Sequence, residues 1–231
     1  MKKIILTFSI CLTVLFAKAQ LGFNYAQYDV GAAAALNYAY TDAETVKGSP
    51  AVHLNFTYNQ TPFFNFLAEV QVGRLEGGDV IKTLSSRQFK NQYTAIAFRT
   101  QIQAGEFLNY GNSAIINAFK NVYLSAGVGV LYNNMTEINR TSLYIPDFTV
   151  TGRDKSSEFF VPLKAGYEFK IFNSYDEPAI KLDLGYQYNY VIGDQLDGMN
   201  AGRRYDMYMQ FVVGVKFAVG GFTSYRKAIP R

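Results

Sequence analysis

The chain has 231 residues, 49% of them hydrophobic and 17% charged, with 22 basic and 18 acidic side chains and a formal net charge of +4. A mean hydropathy of −0.03 excludes a bundle of membrane helices. The near balance of charge excludes the basic stripe that marks a nucleic-acid binder.

The first 19 residues read as an export leader. Lys2 and Lys3 give a positive start, and Ile4 to Phe16 is an apolar run too short to span a bilayer. Ala17-Lys18-Ala19 supplies a small-x-small cleavage site, which predicts processing between Ala19 and Gln20. Removing the leader takes three lysines from the 22 basic residues and leaves 19 against 18 acids, a charge of +1. The single cysteine, Cys11, leaves with the leader, and Ile10 before it argues against a lipoprotein site. The mature chain is therefore expected to have no disulfide and no thiol chemistry.

Eight segments then alternate apolar and polar residues at period two. The first, about 28–40, puts Val30, Leu36, Tyr38 and Tyr40 on one face and Asp29, Gly31 and Asn37 on the other. The second, about 51–59, sets Val52, Leu54, Phe56 and Tyr58 against His53, Asn55 and Thr57. The third, about 63–74, sets Phe64, Phe66, Val70 and Val72 against Asn65, Glu69 and Gln71; the fourth, about 92–104, sets Ile96, Phe98 and Ile102 against Arg99, Gln101 and Gln103. The fifth, about 120–132, has Val122, Leu124, Val128 and Val130 opposite Ser125, Gly127 and Gly129. The sixth, about 158–172, opposes Phe159, Leu163, Phe169 and Ile171 to Lys164, Glu168 and Lys170. The seventh, about 179–192, opposes Ile180, Leu182, Leu184 and Tyr186 to Lys181, Asp183 and Gln187. The last, about 205–219, opposes Met209, Phe211, Val213 and Phe217 to Asp206, Gln210, Gly214 and Lys216. Such alternation over so many residues is the pattern of strands with one greasy face.

The fold predicted is all-β: an eight-stranded antiparallel up-and-down transmembrane β-barrel over 20–219, followed by a short periplasmic tail, 220–231, disordered and basic at Arg226, Lys227 and Arg231. An exported chain of this kind belongs in the outer membrane of a Gram-negative cell. Gly31, Gly73, Gly127, Gly129, Gly166, Gly185 and Gly214 share the polar row, as a narrow lumen requires small residues beside large ones. With the N-terminus periplasmic, the linkers near 41–50, 75–91, 133–157 and 193–204 face outside. The segment 105–119 is long for a periplasmic turn and reads either as a helical turn at the membrane interface or as an early start to the fifth strand. Tyr38, Tyr40, Phe63, Phe64, Tyr132, Phe172, Tyr190, Tyr205 and Phe217 are candidates for aromatic girdles at the headgroups.

The inward row carries both signs of charge: Glu69, Arg99, Lys164, Glu168, Lys170, Asp183, Asp206 and Lys216. In so narrow a space such charges must pair, which predicts a salt-bridged plug in place of an open pore. Catalysis finds little support. The only histidine, His53, points into the lumen away from most serines, and no spacing of His, Cys or acids suggests a metal or another cofactor. Outward basic loop residues such as Lys82, Arg87, Arg153 and Arg204 are candidates to meet lipid phosphates.

The leader, the eight alternating strands and the ending Gly214-Val215-Lys216-Phe217-Ala218-Val219 resemble the small outer-membrane barrels of the OmpA/OmpX type, and the outer-membrane β-barrel and PorT-like families of Bacteroidota. The resemblance implies that Gly214, Phe217 and Val219 form the assembly signal read by the barrel-insertion machinery. Val212, where a polar residue is usual, and the tail beyond 219 depart from that pattern. The expected function is non-enzymatic: envelope integrity, surface contact, or an accessory subunit of an outer-membrane machine. The expected partners are outer-membrane lipids and lipopolysaccharide, and a protein met through the external loops or the tail. A narrow porin-like channel and a secretion-apparatus component are the alternatives; a lipid-modifying enzyme is disfavoured.

Overall fold

The computed structural model describes residues 23–81, 83, 85–108, 114–142, 149–200 and 206–225. The leader, its cleavage site at Ala19–Gln20, and the last six residues lie outside them. Eight strands follow in order: β1 (Phe23–Tyr40), β2 (Val46–Asn59), β3 (Phe64–Gly78), β4 (Gln88–Gln103), β5 (Val122–Asn139), β6 (Lys155–Phe172), β7 (Pro178–Ile192) and β8 (Met207–Tyr225). Each pairs antiparallel with the next, and β8 pairs with β1 to close the barrel. The short connections 60–63 and 173–177 lie at one end, with a longer one that carries a 3₁₀ turn and the helix α1 (Ala114–Phe119). We call this the turn end and the other the loop end. The helix settles the reading of 105–119, since β5 starts only at Val122.

Parity is inverted relative to a water-soluble sheet. Leu54, Phe98 and Leu124 on the outer wall are 60%, 64% and 68% exposed, whereas Asp29, Thr57 and Gln187 inside are wholly buried. The interior is not uniformly polar: Leu67, Phe160, Pro162 and Val212 also point inward and are buried.

The structure moves several boundaries. Strands β2 to β5 run further at the loop end than alternation suggests, so the linkers contract to 41–45, 79–87 and 140–154. There the outer face turns polar, through the cross-strand row Arg74, Gln92 and Asn134, and the apolar period fades. At the other end, β8 does not stop at Val219. Gly220 and Gly221 stand opposite the single residue Gln27, a β-bulge in which Gly220 takes φ +82°. Pairing then resumes from Phe222 to Tyr225 against β1. Residues 220–225 are therefore strand and not a free tail. Phe63, expected in a girdle, is instead fully buried at the turn end; Tyr205 is outside the described residues.

A seam at Pro162 interrupts the wall between β5 and β6. The β5–β6 register is unbroken except at Gly127–Val128 against Val161–Pro162. These are the positions whose ladder needs an N–H at residue 162, which proline lacks.

Candidate functional site

The lumen is filled in layers that follow from the stagger of the strands. At the turn end, Tyr25, Phe63 and Tyr225 form an apolar plug against Phe172. Lys170 Nζ lies 4.4 Å from the centre of the Phe63 ring and donates to the Pro62 carbonyl and Gln103 Oε1, each at 2.8 Å. Above it Lys181 donates to Asp29 at 2.5 Å, and Asn59 donates to the same carboxylate at 2.8 Å. Lys216 meets Glu168 at 2.8 Å, where Gln103 also donates at 2.9 Å.

In the middle, Lys164 pairs with Asp183 at 2.6 Å while the Tyr123 hydroxyl donates to the other oxygen at 2.5 Å. The Lys164 stem crosses over Gly185, where a Cβ would strike its Cε. Arg99 Nη2 donates to Glu69 at 2.6 Å, and Nη1 donates to Gln187 at 3.1 Å. Gln71 supports the same glutamate at 2.7 Å, and His53 Nδ1 lies 3.6 Å from it. A layer of amides sits above. Gln210 donates to Asn37 at 2.9 Å and to Tyr93 at 3.1 Å, and accepts from Asn189 at 3.0 Å.

The loop end carries an apolar cap. Leu75, Phe89, Leu131 and Val191 close the mouth together with Leu196 and Met199, which the segment 193–200 folds inward. Hydrogen bonds from three places hold that segment: Asn91 Nδ2 to the Leu196 carbonyl at 2.8 Å, Arg140 Nε to the Gly198 carbonyl at 2.9 Å, and the Asp42 amide to Asp197 at 3.2 Å.

Seven of the charged residues singled out in the sequence therefore lie in the lumen, and six of them form three ion pairs: Glu69–Arg99, Lys164–Asp183 and Lys216–Glu168. Lys170 is held by carbonyl oxygens and a ring instead. Asp206 is a correction. It precedes β8, accepts from the Leu196 amide at 2.9 Å, and belongs to the cap. The pair Asp29–Lys181 was missed as a pair, although both residues share the inward parity. His53 is sealed from solvent. Of the three residues for which the resemblance implies an assembly signal, Gly214 faces the lumen against Ala33, while Phe217 and Val219 lie on the outer wall of β8.

The cap carries its own titration. Burial and the neighbouring Asp197 push Asp206 up to about 9, and burial pushes Asp197 up to about 6 against the Met199 amide that holds its charged form. An acid whose folded value is raised stabilises the cap fully at low pH, and that contribution is lost as pH rises through the folded value. Hydrogen-exchange protection factors at Leu196 and Met199, whose amides donate to these carboxylates, are expected to fall as pH rises from about 4, where both acids ionise in the unfolded chain, to about 9. Asp206→Asn is expected to flatten the upper half of that change. Protection that rises with pH would reverse the sign and refute the assignment.

No family model matches the chain, and no curated protein matches it in sequence. Among solved structures, the Neisserial surface protein A is similar at 13% identity and a TM-score of 0.48, covering 84% of this chain and 98% of that one. Ail, the attachment invasion locus protein of Yersinia pestis, is similar at 11% and 0.44 over 84% and 98%. The outer membrane protein AlkL is similar at 11% and 0.39 over 91% and 96%. Similarity at this level bears on the fold alone, and the closed eight-stranded antiparallel barrel rests on the strand register itself.

Proposed function

We propose that this chain spans a bacterial outer membrane as an occluded, non-enzymatic barrel whose working surface is its loop end. The filled lumen carries this reading: ion pairs and amides occupy the interior between an aromatic plug and an apolar cap. Residues locked so tightly together serve stiffness better than passage. The outer wall supports the location, since buried charge inside and exposed Val, Leu, Ile and Phe outside suit a hydrocarbon solvent. Function then falls to the surface of the loop end, as contact with lipopolysaccharide or a protein partner, or as an accessory subunit.

The experiment uses single cysteines in the mature chain. A membrane-impermeant maleimide is expected to label Thr149→Cys on intact cells. Tyr175→Cys, in the 173–177 turn and 81% exposed, is expected to react only after the outer membrane is breached. The opposite pattern would invert the barrel, and protection of neither site would argue against an outer-membrane location.

A further inference from the structure

The connection between β4 and β5 leaves large apolar side chains uncovered: Phe107, Ile115 and Phe119 are 77%, 71% and 57% exposed. It is nonetheless fastened to the barrel. The Gly105 amide donates to the Lys120 carbonyl at 2.8 Å, and the Tyr167 hydroxyl donates to the Ala118 carbonyl at 2.8 Å. Between Phe107 and the outer wall of β4 to β7 lies a groove of about 850 Å³. Two cross-strand rows build its wall: Thr100, Ala126, Leu163 and Tyr188, and one step nearer the turn end Ile102, Leu124, Ala165 and Tyr186. Ala126 and Ala165 make the floor low where their neighbours stand high, and no charged side chain belongs to these outward rows.

We infer that this groove holds an acyl chain of a phospholipid from the leaflet at the turn end. The inference rests on the barrel spanning a membrane, as proposed above. The groove is continuous with the apolar wall, and its lining climbs from Ala104 and Phe107 at the turn end to Thr100, Ala126 and Leu163 further up the wall. A chain lying along the membrane normal fits such a channel. A second barrel would offer a broad convex wall, which does not enter a furrow roofed by Phe107. The exposed side chains of α1 then sit among the same lipids as an interfacial foot.

The test is reconstitution of the full chain into vesicles of phosphatidylethanolamine and phosphatidylglycerol, flotation, re-extraction in mild detergent, and native mass spectrometry. The wild-type barrel is expected to float and to keep one phospholipid after the annular lipid is stripped. Ala126→Trp and Ala165→Trp are expected to float equally well and to lose that lipid. Filling the floor removes the close packing that a chain finds in the groove and not among bulk acyl chains, so retention is expected to fall to that of the stripped annular lipid. Leu54→Trp, on the outer face of β2 across the barrel from the groove, is expected to retain it. A floating barrel with no retained lipid would overturn the inference alone, as would retention by both groove variants or a dimer mass that the groove variants abolish. A barrel that does not float would overturn the membrane reading and this inference together.

Discussion

Replacing Glu69 with alanine is expected to destabilise the barrel by about 3–5 kcal/mol. Glu69 is 3% exposed and carries the Arg99 guanidinium at 2.6 Å. Its removal strands a guanidinium whose side chain is 2% exposed, with only Gln187 to accept from it. The cost is that of an uncompensated buried charge, which exceeds the net worth of the pair. The double variant Glu69→Met with Arg99→Met removes both charges and keeps apolar volume, and it is expected to recover most of the loss. Urea titration of folding into vesicles, read by the gel mobility of the folded form, gives both numbers. Equal losses for the single and double variants would mean that the pair holds the lumen by shape and not by charge.

Gly127→Val is expected to be nearly as severe, at about 3 kcal/mol or more, with much of the chain failing to close. A Cβ at Gly127 would run into the carbonyl oxygen of Phe98 and lie 2.7 Å from Arg99 Cα. The β4 backbone at Phe98 and Arg99, paired with β3 on one side and β5 on the other, cannot yield. The same glycine faces Pro162 across the one interrupted stretch of the β5–β6 ladder, so fewer bonds hold the strands against the strain. A Gly127→Ala variant is expected to fall between the wild type and valine. If valine folds with wild-type stability, the close approach of β4 and β5 drawn here is wrong.

The strands were legible because the outer wall is greasy and the inner row is not. That signal fails where the physics changes. Above Val72 and Tyr132 the outer face meets water, and Arg74, Gln92 and Asn134 end the alternation while the hydrogen-bonded ladder continues. Gly220-Gly221 looks like a terminator, yet a bulge uses the pair to turn β8 back onto β1. The inward parity of the charges could be read, but their partners could not. Lys181 reaches Asp29 across 152 positions of sequence, and only the stagger of a closed barrel decides which carboxylate it finds. The cap left a faint mark: Leu196 and Met199 are apolar residues in an otherwise polar linker, which is the signature of a loop that folds inward.

The central claim, that the lumen is closed, is tested most directly by recording the pure wild-type protein in planar bilayers. The charge network between its two apolar plugs predicts a barrel that inserts and gives no reproducible unit conductance. Stable, ion-selective openings of uniform size from the wild-type chain would contradict it.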